Sequence, residues 1–151
     1  MTAHAVSSNG ERFDRAPAAA AHVGQVCHTA IDGRRASRAL AQWCTRFEIA
    51  EPELQVLWCL RAGVHRGFDQ TTLVKQLAFS PAQVSATVER LRARGWILQQ
   101  ASSKDRRRNL WYLTQSGTAF IGALVLAADD LQVHVQQAAA KHCVSPTREA
   151  A

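Results

Sequence analysis

The sequence predicts a mainly α-helical fold with one small β-hairpin, and three observations carry that prediction. Between Pro81 and Arg94 the apolar residues Val84, Val88 and Leu91 recur at i, i+4 and i+7, the spacing of one helical face. After Gly95 the period falls to two: Trp96 to Ala101 and Leu110 to Leu113 read as strands, joined by the polar run SSKDRRRN. From Gly117 a seam follows at alternating steps of four and three through Ile121, Leu124, Ala128, Leu131, Val135, Ala138 and His142, which predicts a long amphipathic helix.

Each element has its own start and stop signals. Residues 1–17, with Ser, Asn, Gly, mixed charge and Pro17, are expected to form a mobile arm. Residues 18–50 are read as an N-terminal helical region with Ala36, Leu40, Trp43 and Phe47 on one stripe and a bend or break at Gly24 or Gly33. Pro52 opens the next helix, in which Leu54, Leu57 and Trp58 are expected to face inward and Gly63 to end the run. Asp69 caps a short helix from Gln70 to Leu77 that buries Leu73, Val74 and Leu77.

Ala78 and Phe79 form a tight connection to Ser80, the N-cap of the next helix, whose first turn accepts Pro81 because that N–H would have no partner. The outer face of this helix is Ala82, Ser85, Ala86 and Glu89, flanked by Gln83 and Arg90, and is free of bulk that would keep it out of a groove. Two such helices make a helix-turn-helix, and the hairpin makes the unit over 51–113 winged. Thr114 caps the last helix, over 114–143, and 144–151 is read as a tail. A straight helix from Gln115 to Lys141 would be about 40 Å long, too long for a small winged domain to cover, and would leave Leu124 and Leu131 exposed. Flanking dimerisation helices, with Leu40, Trp43, Phe47, Ile121, Leu124, Leu131 and Val135 at a homodimer interface, are therefore expected.

Charge points to a partner. Between Arg90 and Arg108 stand Arg90, Arg92, Arg94, Lys104, Arg106, Arg107 and Arg108 against Asp105, and the resulting +6 equals the net charge of the whole chain. An excess confined to one helix and the hairpin after it suits a polyanion, foremost double-stranded DNA. The residues expected to meet it are Ser80, Ala82, Gln83, Ser85, Ala86, Arg90, Lys104, Asp105, Arg106, Arg107 and Arg108.

Other function classes find little support. At 151 residues and 47% apolar content the chain can bury one domain's core. It shows no leader and no apolar run near the roughly 20 residues of a membrane span, so a cytoplasmic protein is expected. Cys27, Cys44, Cys59 and Cys143 lack CxxC spacing and are read as thiols, with no metal and no cofactor. Neither GxSxG, HExxH, a phosphate-cradling glycine loop nor an acidic pair at catalytic spacing occurs, and catalysis is not expected.

The succession LVKQLAFSPAQVSATVERLRARGWI, then DRRRNLWYLT and Gly117, resembles the MarR-type winged-helix transcription regulators over about Pro52 to Gly117. That resemblance implies a dimer built from terminal helices, with recognition helices in the major groove and wing arginines in the minor groove. It places Gln83, Ser85 and Ala86 on the reading face, makes Arg107 the wing arginine and has Asp105 position it. Ala86 stands where the family often carries a basic or longer polar residue, and only 37 residues follow Thr114, fewer than usual. A small-molecule or oxidant effector is implied as a further partner: Trp43 reads either as core or as the wall of a ligand cleft, and Cys27 as an inert thiol or, by likeness to the peroxide-sensing branch, a redox one. The rival reading is a winged-helix module that docks an acidic protein or RNA, for which an apolar recognition helix would be expected.

Overall fold

The computed structural model describes residues 10–63, 66–102, 105 and 108–140. In chain order they form α1 (Gly10–Thr45), α2 (Glu51–Ala62), α3 (Gln70–Leu77), α4 (Pro81–Ala93), β1 (Ile97–Ala101), β2 (Asn109–Leu113), α5 (Gln115–Leu126) and α6 (Asp129–Ala140). The mainly helical fold with one hairpin is the one that the periodicities predict. The expected caps are in place: Asp69 accepts the Thr72 N–H at 2.7 Å, Ser80 that of Gln83 at 3.1 Å and Thr114 that of Gly117 at 3.0 Å.

β1 and β2 pair antiparallel from Ile97 opposite Leu113 to Ala101 opposite Asn109. Phe68 adds a bridge on the other side of β2, exchanging both backbone bonds with Trp111 at 3.2 and 2.9 Å. A single residue has no alternation to display, so this third edge is invisible in the sequence. The core lies where α2, α3 and α4 meet, around Leu57, Leu60, Leu73, Val84, Val88 and Leu91, and extends through Trp43 and Cys44 to Ile121 and Leu124. Gly117 lets α5 start directly against β1: a Cβ there would sit 2.1 Å from the Trp96 carbonyl oxygen.

Three expectations are corrected. α1 runs unbroken through Gly24 and Gly33 and begins at Gly10, inside the stretch read as an arm. Both glycines stand in open space, so each costs helix propensity alone, about 1 kcal/mol. Trp58 does not face inward. It is 53% exposed, with the Arg61 guanidinium 4.8 Å over its ring, because Leu54, Val56, Leu57 and Leu60 already fill the inner face of α2. Finally, the C-terminal helix is two. The Ala127 and Ala128 N–H groups reach back to the carbonyls of Leu124 and Val125, tightening the last turn, and α6 then folds onto α1. A straight helix would have carried α6 and its Leu131 away from α1. No Pro or Gly announces the break. No described helix is long and apolar enough to cross a membrane.

Candidate nucleic-acid interface

α4 is built to show one face. Val84, Thr87, Val88 and Leu91 are buried beneath it, whereas Ala82, Gln83, Ser85, Ala86 and Glu89 are exposed. The turn before it passes through Ala78 in the left-handed region (φ 54°), a tight reversal that brings α3 and α4 together. Gln70 at the start of α3 also reaches the Pro81 carbonyl, its Nε2 donating at 3.4 Å. The Ser80 hydroxyl is engaged as the cap, and Gln83, Ser85 and Ala86 project from the first two turns without bulk between them.

The arginines are less free than a charge count suggests. Arg90, expected as a DNA contact, instead turns its guanidinium into the protein: Nε donates to Glu53 Oε1 at 2.9 Å and Nη2 to Thr87 Oγ1 at 3.2 Å. Glu53 is almost fully buried, and its other oxygen accepts the Ala50 N–H at 2.9 Å, which caps α2 where Ala50 has no side chain to do so. The carboxylate thus joins the start of α2 to α4. Sequence reading missed it, and a Glu at the third position of a helix lacking a cap residue was the available signal. Arg94 donates to the Glu48 carbonyl at 2.8 Å and lies 4.9 Å over Trp96, which stacks on Phe120 at 4.0 Å. Arg92 pairs with Glu89 on the surface.

Arg108 is likewise engaged, its Nη2 donating to Asp69 Oδ2 while more than half of its side chain stays exposed. Glu53 and Asp69 therefore offset part of the +6 that the segment carries by sequence. Asp105 is exposed, and its carbonyl accepts the Arg108 N–H at 2.9 Å. Lys104, Arg106 and Arg107 lie outside the described residues, and with them the arrangement of Asp105 toward Arg107.

Of the residues expected at a dimer interface, Trp43, Ile121 and Leu124 are buried within the single chain, so Leu124 needs no second subunit to cover it. Leu40, Phe47 and Leu131 are half-buried and pack against the same core. The side chain of Val135 lies outside the described residues. Among the described residues the large apolar side chains left exposed, besides Trp58, are others: Val23, Val26 and Ile31 on the outer half of α1, Val125 and Val133, and Leu126, which is 84% exposed. Val23, Val26 and Ile31 follow near-helical spacing, a stripe that could have been read directly.

An apolar cavity of about 490 Å³ opens between α1, α2, α5 and α6, walled by Leu40, Trp43, Trp58, Cys59, Val125 and Leu131 among others, with no charged residue. Trp43 Nε1 is buried at this wall without a hydrogen-bond partner. Cys59 donates to Gln76 Oε1 at 2.8 Å, and burial raises its thiol pKa. Cys44 is fully buried and pushed up to about 11, by burial first and by the Glu51 carboxylate second. Cys27 is exposed. Among the described residues no cluster of His, Cys, Asp and Glu could hold a metal ion.

Residues 49–108 match the model of the MarR family. They form a MarR-type winged helix. Among solved structures, MarR from E. coli in its apo form superposes with a TM-score of 0.65 at 22% identity, over 76% of this chain and 82% of that one. A cysteine-to-serine mutant of E. coli MarR complexed with operator DNA gives 0.64 at 20% identity, over 76% and 80%. The S. aureus MepR–DNA complex gives 0.60 at 24% identity, over 74% and 82%. No curated protein sequence matches the chain significantly. At these identities the MarR-type likeness speaks for the fold, and it extends beyond the winged unit into the terminal helices.

Proposed function

We propose that this chain is a double-stranded-DNA-binding transcription regulator, a repressor acting as a homodimer on a pseudo-palindromic site. The observation that carries the reading is the face of α4. Five exposed residues without bulk are held rigidly by a buried stripe beneath and a cap at Ser80, the form of an element that enters a major groove. Operator DNA is bound by the MarR structure, and DNA by the MepR structure, that share this fold. Gln83 pairs with adenine edges, Ser85 meets a donor or an acceptor, and Arg107 enters the narrow minor groove, where shape favours a guanidinium. The exposed apolar stripe of α1 with Leu126 forms the dimer surface. The cavity beside Trp43 takes an uncharged effector with an apolar body and one acceptor for the orphan indole N–H.

Selection of duplexes from a random pool tests the class and stoichiometry together; a symmetric consensus is expected, and an asymmetric or absent one overturns the reading. On the selected site Arg107→Ala should weaken specific and random binding alike and flatten the salt dependence by roughly one unit of slope for each phosphate left unneutralised. Gln83→Ala should cost about 1 to 3 kcal/mol on the preferred site and little on random DNA. Anisotropy titrations over a salt series read both. Unchanged binding by Arg107→Ala at every salt concentration would remove the wing from the interface.

A further inference from the structure

We propose that Asp69 and Arg108 are positioning residues that aim the wing relative to the recognition helix, an inference that rests on the DNA-binding reading above. Asp69 divides its carboxylate between two tasks. Oδ1 accepts the Thr72 N–H at 2.7 Å and caps α3, while Oδ2 accepts from the Arg108 guanidinium. The Asp69 side chain is 14% exposed at a cleft also lined by Phe68, Thr72, Ser102, Asp105 and Leu110, so the carboxylate is the desolvated partner and the Arg108 side chain, 58% exposed, reaches it from the open side.

Arg108 occupies the base of the wing. Its carbonyl accepts the Ser102 N–H at 2.8 Å across the hairpin, and its N–H donates to the Asp105 carbonyl at 2.9 Å. Its backbone therefore closes the turn while its side chain reaches the helix-turn-helix. On the other side of the pair, the two backbone hydrogen bonds between Phe68 and Trp111 hold residue 68 against β2. Gln70, one residue beyond Asp69, donates to the carbonyl of Pro81 in the first turn of α4. A continuous path of bonds thus runs from the wing through the start of α3 to the residues that precede Gln83 and Ser85.

Two variants of the full-length protein separate positioning from simple charge. Asn also caps helices, so Asp69→Asn keeps α3 while weakening the ion pair. Removal of an acidic charge near a polyanion should by itself raise affinity for DNA. Aiming predicts the opposite sign: about a fivefold loss on the selected site, the size expected of one ion pair of about 1 kcal/mol. Arg108→Gln should show a similar loss with an unchanged salt slope, and the double variant should be no worse than either single one. In the DNA-free protein, limited trypsin digestion of Asp69→Asn should cut the arginine-rich wing faster than wild type, with the thermal midpoint nearly unchanged. Affinity raised by Asp69→Asn, or a slope lowered by about one unit in Arg108→Gln, would overturn the proposal and make Arg108 a phosphate contact. Faster wing cleavage in a protein that binds no duplex even as wild type would support the clamp and refute the DNA-binding reading instead.

Discussion

The winged unit and the terminal helices satisfy their side chains very differently. Among the described residues of 49–108 the buried polar side chains are answered inside the chain, Glu53 by Arg90 and the Ala50 N–H and Thr87 by the Gln83 carbonyl, and half-buried Asp69 is met by Thr72 and Arg108. The terminal helices leave groups unanswered. Val23, Val26, Leu126 and Val133 face solvent, an apolar cavity opens beside α1, and Trp43 Nε1 has no partner within the chain. A unit that closes on itself can act as a rigid reading head. Helices with bare apolar faces and an orphan donor are where a second subunit and an effector would be accommodated.

The largest effect should follow from attacking the open side. Val26→Glu combined with Leu126→Glu places charges on the two most exposed faces of the proposed interface without touching the core. Light scattering at tens of micromolar should then give the monomer mass, and affinity for a symmetric duplex should fall about a hundredfold or more as the second arm loses its effective concentration. A dimer of wild-type mass would place the interface elsewhere.

An intermediate effect is expected on the closed side. Arg90→Ala strands the Glu53 carboxylate in the core with only the Ala50 N–H, and should destabilise by about 3 kcal/mol. Glu53→Gln leaves an uncharged amide that still bonds, and the half-exposed Arg90 can turn to water, so the cost should be nearer about 1 kcal/mol. Urea denaturation with fixed slope measures both. Equal and negligible costs, with a flattened salt dependence of DNA binding for Arg90→Ala, would return Arg90 to the role that its position in the sequence suggests.

The same contrast explains what could be read from the chain. The helices and strands of the winged unit carry their own local signals, Asp69, Ser80 with Pro81, the change of period after Gly95 and Thr114, and those signals sufficed. What the sequence concealed is nonlocal. Glu53 meets Arg90 across 37 residues and Asp69 meets Arg108 across 39, and nothing in either neighbourhood names its partner. The outward face of α4 was legible because the buried stripe beneath it has a fixed period, whereas the charge count could not know that carboxylates from α2 and the start of α3 would fold against its arginines. In the C-terminal region the seam packs inward from Gly117 through Leu131 but the helix is not continuous, and α6 packs on α1 after a break at Ala127 and Ala128 that local propensity would not have placed there.

The cysteines offer the mildest test, because they sample both regions without perturbing either. Cys27 stands exposed on the outer half of α1, whereas Cys44, near the end of the same helix, is fully buried with its pKa pushed from 9.0 to about 11. At pH 8 that difference alone lowers the thiolate fraction of Cys44 about a hundredfold relative to an unperturbed thiol, and burial slows access further. With Cys143 replaced by serine, a neutral maleimide followed by mass spectrometry should label Cys27 first, Cys59 slowly and Cys44 last. The sign with pH also follows. A folded pKa above the unfolded one gives stability that is complete below pH 9 and lost as pH rises through about 11, so thermal midpoints should fall across that window and fall less in Cys44→Ala. If Cys44 labels as quickly as Cys27 at pH 8, the inner half of α1 leaves the core as readily as the outer half meets solvent. The hydrophobic core would then end at α2 rather than at Trp43.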